Sequence, residues 1–191
     1  MRYTLRPYLL HLILTLSLFT ALCTPSLAGD IALQSIGPRI GLSPDTPLLG
    51  KRQTESFRMA DVSAVFSLPW SRPLGGDTWS LATRLTASAG ALEGAGDSGL
   101  MMTVVPGLAL NGWKELVSFD VGGGLAYFSR YKFGEQDFGG PVQFVATMGV
   151  RINPFSHIYT GFRLQHFSDA GLYGSSSLGI DLYILELGYR F

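Results

Sequence analysis

The sequence predicts an all-β protein, an eight-stranded antiparallel transmembrane β-barrel with a filled lumen. Three observations lead there. Only 15% of the 191 residues are charged, against about a quarter in an ordinary soluble domain, while 24 glycines and 12% aromatics are unusually many. Segments of about ten residues alternate apolar and polar side chains and recur at fairly even spacing, as membrane-crossing strands do. Beyond the first 28 residues, no apolar run reaches the ~20 residues that a spanning helix needs.

Residues 1–28 read as a secretory signal peptide, which leaves 29–191 as the barrel domain. Arg2 and Arg6 precede an apolar run from Tyr8 to about Cys23, and Thr-Pro-Ser-Leu-Ala28 offers a small-x-small cleavage site. Cys23 is the sole cysteine, and the bulky Leu22 before it argues against a lipidated N-terminus. Cleavage after Ala28 leaves a mature chain without cysteine, so its stability in an oxidising compartment owes nothing to disulfides.

Eight alternating segments follow, near 33–44, 56–69, 78–90, 99–110, 115–128, 140–152, 157–168 and 180–191. Successive strand side chains point to opposite faces, so each segment sorts into two sets. In the second, Ala60, Val62, Ala64, Phe66, Leu68 and Trp70 oppose Asp61, Ser63 and Ser67. Trp79, Leu81 and Leu85 oppose Ser80, Arg84, Thr86 and Ser88 in the third. The fifth sets Val117, Phe119, Val121 and Leu125 against Ser118 and Asp120; the sixth sets Val142, Phe144, Met148 and Val150 against Gln143, Thr147 and Arg151. One face thus suits lipid and the other is polar. Arg84, Arg151, Arg163 and Arg190 meet Asp61, Asp120 and Glu186 on the polar side, where opposite charges can pair. An eight-stranded barrel is only wide enough inside for side chains, so a filled lumen is expected and no pore.

The connections near 45–55, 91–98, 129–139 and 169–179 are rich in Gly, Pro and charge, and longer on average than 111–114 and 153–156. Long external loops and short periplasmic turns mark outer-membrane barrels. Pro69–Gly76 departs from this, being long on the periplasmic side. The glycines at 122–124 and 139–140 precede no helix, so they suit close strand packing rather than a phosphate. The chain has no net charge and no basic run, which sets nucleic acid aside as a partner. No metal-ligand cluster is visible either. The terminal Phe191, preceded by alternating Tyr189, Leu187, Leu185 and Tyr183, resembles the C-terminal signal of bacterial outer-membrane proteins. With that end periplasmic, the 169–179 connection is extracellular.

Chemistry concentrates in the last hairpin. Phe162, Leu164, His166 and Ser168 share one face of its first arm, with Arg163 and Gln165 on the other; Asp181, Tyr183, Leu185, Leu187, Tyr189 and Phe191 share a face of the second. In a membrane barrel this apolar face looks at lipid and carries His, Ser and Asp near the outer rim. Residues two apart lie about 7 Å along a strand, near enough for the His166 imidazole to reach the Ser168 hydroxyl. His166 as general base and Ser168 as nucleophile form an ester-cleaving pair. A turn centred near 173 or 174 sets Asp181 close to opposite His166, within two residues, where it can orient the imidazole. Asp169 points the other way by parity, which predicts a loop role.

His166-Phe-Ser168-Asp-Ala-Gly171-Leu172, then Gly179-Ile-Asp181 and a strand ending Leu-Gly-Tyr-Arg-Phe191, resembles the PagL-type lipid A 3-O-deacylases, specifically over about 161–191 and by hydrophobic alternation elsewhere. The resemblance implies an eight-stranded outer-membrane serine esterase, with Ser168 the nucleophile, His166 the base and Asp181 the acid. Its substrate would be the lipid A of lipopolysaccharide in the outer leaflet, and it would need no cofactor. Asp169 stands where the family commonly has Asn after the serine, Ser177 where it has an Asn before the last strand's Gly, and Asp181 where Glu is more usual. Ser177 and the loop backbone, including Gly171, are the candidates to hold the substrate carbonyl. Phe162, Leu164 and Tyr183 would line the acyl chain, and Arg130 and Lys132 at the rim would meet lipid phosphates or only water. The other readings are a non-catalytic barrel with a structural or loop-binding role, and a phospholipid esterase. Monomer and homodimer stay open.

Overall fold

Alternating side chains demand a sheet with two unlike faces, and eight long strands supply it by closing on themselves. The computed structural model describes residues 30–48, 53–76, 78–174 and 178–191. The expected signal peptide and Ser177 lie outside them. The strands, in chain order, are β1 (Ala32–Leu42), β2 (Phe57–Pro73), β3 (Trp79–Gly94), β4 (Asp97–Gly112), β5 (Val117–Phe128), the two-residue β6 (Lys132–Phe133) and β7 (Gln136–Asp137), β8 (Val142–Phe155), β9 (Ile158–Ser168) and β10 (Ile180–Arg190). All but β6 and β7 form one closed antiparallel barrel, ordered β1, β10, β9, β8, β5, β4, β3, β2. Pairing of β1 with β10, Ile40 against Leu185 and Ser35 against Arg190, removes the sheet edges. Each barrel strand meets the ~9–11 residues that a tilted strand needs to cross a bilayer.

The outer wall carries exposed large apolar residues on seven of its eight strands, among them Ile40, Val62, Val104, Val121, Met148 and Leu187. Such a belt is stable only against lipid. At the end where the chain terminates, Trp79 stacks near Trp113, and His157, Tyr189 and Phe191 form a ring series. These amphipathic rings suit the membrane boundary.

Inside, two halves differ. Toward the short-turn end, Arg39 grips Asp61 through two hydrogen bonds of 2.8 and 2.5 Å, and Arg163 spans Glu186 (2.7 Å) and Asp120 (2.6 Å). Glu186 also lies 3.3 Å from Arg151 and 3.7 Å from Arg39. Arg84 instead bonds the Asn111 oxygen, and Arg190 leaves the network to pair with Glu115 beside a short turn. In the other half Phe57, Phe128, Phe133, Phe138 and Phe167 cluster with Leu92, Met101, Leu182 and Ile184, all buried. The expectation of a uniformly polar inner face is therefore corrected. Near the long loops Phe133 and Phe138 of the β5–β8 connection fold into the mouth, so apolar side chains are the stable choice there.

Because Glu186 faces three guanidinium groups while almost wholly buried, its removal leaves positive charge without compensation. Glu186→Ala is expected to cost about 3–5 kcal/mol, the range for breaking a buried pair by deleting one partner. Urea titration of the barrel in detergent, followed by its heat-modifiable mobility on a gel, measures this.

Two connections differ from expectation. The segment 91–98 is no loop: β3 runs to Gly94, β4 starts at Asp97, and only Ala95 and Gly96 turn, both left-handed (φ 51° and 80°). Positive φ at both central residues is the hairpin turn whose twist matches its strands, and Ala in place of the usual Asn or Asp hides it in the sequence. Likewise Pro69–Pro73 continues β2 past a register shift between Ser67 and Ser71, and Leu74 N already bonds the carbonyl of Trp79, the first residue of β3. The Gly122–Gly124 run is close strand packing, as a Cβ at Gly124 would overlap the Val104 carbonyl.

Candidate active site

β9 and β10 pair with Asp181 directly opposite His166 and Ile180 opposite Phe167. The connection between them is long, yet alternation on both arms excludes a one-residue slip, and the register formed keeps Arg163, Gln165, Leu182 and Ile184 inside. His166 consequently faces outward, and its Nδ1 lies 2.5 Å from Asp181 Oδ1. The other ring nitrogen, Nε2, is left for a second partner. Ser168 ends β9, paired with Phe144 of β8, half-buried and on the same outer face two residues from His166. Among the described residues no hydrogen bond joins the Ser168 hydroxyl to the imidazole. Nucleophile and base commonly draw together only when substrate is bound.

Asp181 sits on the lipid-facing wall yet is only 5% exposed. The β1–β2 loop makes the difference. Leu48 N donates to Asp181 Oδ2 at 2.5 Å, so one carboxylate oxygen takes the loop amide while the other takes the imidazole. Sequence reasoning missed Leu48: a Pro-rich loop has no period, and nothing local marks which amide will cross to a residue 133 positions away.

A cleft of about 200 Å³ opens beside the pair, lined by Leu48, Ala146, Met148, Leu164, His166 and Tyr183 among others. Leu164 and Tyr183 are thus among its lining residues. Phe162 stands outside the cleft, its ring 6.0 Å from that of Tyr183. Ala146 is directly opposite His166 on β8, and its small side chain leaves the space. The wall is largely aliphatic and open to the side, a shape for a hydrocarbon chain rather than a polar solute.

The β9–β10 connection is braced by Asp169, buried as its parity foretold. Its Oδ1 accepts from Gly171 N (3.0 Å) and its Oδ2 from Tyr173 N (2.9 Å), winding the loop through left-handed Ala170 and Gly171. This is the local bonding by which an Asp sets a turn. Gly171 therefore has its N–H engaged by Asp169. At the rim, Arg130 lies 3.4 Å from Asp97 and Lys132 is exposed on β6.

A family profile described as lipid A 3-O-deacylase (PagL) matches residues 58–190. In fold, the chain is similar to a solved structure titled "Crystal structure of the outer membrane enzyme PagL", with a TM-score of 0.68 at 19% identity, covering 82% of this chain and 99% of that one. No curated protein matches. With most of the barrel inside the profile match, the chain belongs to the PagL family of lipid A 3-O-deacylases, barrel enzymes of the outer membrane.

Proposed function

We propose that this family member removes the 3-linked acyl chain of lipid A with Ser168 as nucleophile, His166 as general base and Asp181 as the acid that orients it. The observation that carries the reading is the 2.5 Å contact between His166 Nδ1 and Asp181 on the outer wall. It supports a tautomer with the proton on Nδ1, held by the carboxylate, which leaves the Nε2 lone pair to take the Ser168 proton. As Ser168 Oγ attacks the ester carbonyl carbon, its proton passes to Nε2, and the carbonyl oxygen takes up the negative charge. Collapse of the tetrahedral adduct breaks the bond to the sugar oxygen, which leaves with the proton from Nε2. Water then repeats the sequence on the acyl-serine, freeing a 3-hydroxy fatty acid and restoring the hydroxyl. No metal or organic cofactor enters any step.

The developing oxyanion needs donors from the 169–179 connection, and Ser177 or backbone amides there would supply them, that of Gly171 once it lets go of Asp169. Phe162, Leu164 and Tyr183 would guide the acyl chain along the outside of the barrel, where a bilayer lipid already lies. The same placement orients the long loops outward and the active site toward the outer leaflet. Residues 1–28 would be removed on export, and a homodimer would leave each site complete within its own chain.

A fluorophosphonate probe tests the nucleophile assignment on detergent-solubilised protein. The expected adduct lies on the peptide containing Ser168, and labelling at any other residue overturns the assignment. Mass spectrometry of membranes from cells with and without the protein tests the substrate. Lipid A lacking one 3-hydroxyacyl chain is expected, while lysophospholipid with unchanged lipid A would mean a phospholipid esterase.

A further inference from the structure

The acid of the proposed triad is held from two loops, and one buried side chain ties those loops together. Gln136 opens β7 in the β5–β8 connection and has no exposure to solvent. Its Oε1 accepts from both the backbone N and the hydroxyl of Thr54 at 2.9 Å, and its Nε2 donates to the Gly179 carbonyl at 3.0 Å. Both ends lead to Asp181. Gly179 lies two residues before it, packed so closely that an added Cβ would stand 3.3 Å from His166 Cε1. Thr54 belongs to the β1–β2 loop, whose Leu48 amide holds Asp181 Oδ2; Gln53 Nε2 clips the two sides of that loop by donating to Pro44 O (3.3 Å) and Glu55 O (2.8 Å). Leu178 N also donates to Asp137 O at 2.8 Å, so β7 lies alongside the chain just before β10.

We infer that Gln136 is a positioning residue for the His166 and Asp181 pair, setting the carboxylate by fixing the entry to β10 and the loop that caps it. A buried amide with three of its four hydrogen-bonding positions filled is costly to disturb and holds one geometry. It touches neither substrate nor the reacting atoms. Its contribution comes through alignment, where displacement by about 1 Å lowers turnover by about 10²-fold. The inference rests on the triad assignment above.

Gln136→Met keeps the side chain's length and removes all three bonds. Rates are taken per folded barrel, counted by the heat-modifiable band, with Ser168→Ala alongside. The expected result is kcat lowered about 10²-fold, KM within twofold of wild type, and slower fluorophosphonate labelling of Ser168. A residue that merely stabilises the barrel mouth would lower the amount of folded protein and leave kcat of the folded fraction unchanged, and that outcome overturns the inference. So does a rise in KM at constant kcat. Should Gln136→Met fail to fold, Thr54→Val decides the matter by removing one hydroxyl: a fall in kcat at constant KM supports the inference, and an unchanged kcat overturns it. If Ser168→Ala keeps its activity, the triad assignment has failed. If Ser168→Ala is inactive and the Gln136 variant matches wild type, only the positioning role has failed.

Discussion

Ser168→Ala is expected to reduce deacylation by about 10⁶-fold, the loss found when a serine nucleophile is removed from a hydrolase of this type. In cells the lipid A profile would then match that of a strain without the protein. The substitution deletes one oxygen from a half-buried residue at a strand end, where backbone pairing to Phe144 is untouched. Surface changes of this kind stay within about 0.5 kcal/mol, so the variant should show wild-type heat-modifiability. Folded but inactive protein is the expected pair of results. Retained activity in the folded variant would transfer the nucleophile's role elsewhere and remove the reason for a serine on the lipid-facing wall.

Asp181→Asn should cost about 10⁴-fold in kcat, with KM little changed, by reversing the imidazole's tautomer. The direction follows from two of the groups that Asp181 faces, a loop amide and the imidazole. The Leu48 amide, at Oδ2, can only donate, so an amide side chain turns its oxygen that way. Its NH₂ then meets Nδ1, which becomes an acceptor and forces the ring proton onto Nε2. A protonated Nε2 in a neutral ring cannot accept the Ser168 proton. Single-turnover assays in mixed micelles separate this loss of chemistry from a loss of binding. A variant with wild-type kcat would show that the short contact to His166 is structural only.

Much of this molecule was legible as period-two patterning. The outward set Phe162, Leu164 and His166 and the inward set Arg163 and Gln165 follow from parity once one face is known to be apolar, whereas parity brought 166 and 181 only near each other and the pairing of β9 with β10 set them opposite. Less legible was whatever depends on a turn's dihedral angles or on residues far apart in the chain. Ala95 and Gly96 make a two-residue turn without its usual residues, and Arg39 joins the ion pairs from a strand whose neighbours Gly37, Pro38 and Gly41 obscure the alternation. Phe133 and Phe138 read as loop residues because no local pattern says that a loop will fold back into the mouth it spans.

The amino-acid order by itself determined that a barrel forms, which face meets lipid, and that an imidazole, a hydroxyl and a carboxylate share that face. Each is a matter of strand parity, a local property that one-residue spacing enforces along the whole chain. Tertiary structure alone decided that Asp181 is shielded by the Leu48 amide, that Ala146 hollows a cleft beside His166, and that Gln136 ties two loops above them. These contacts exist only after the sheet closes and the loops settle over its mouth, because closure brings together segments whose separation along the chain carries no periodic signal.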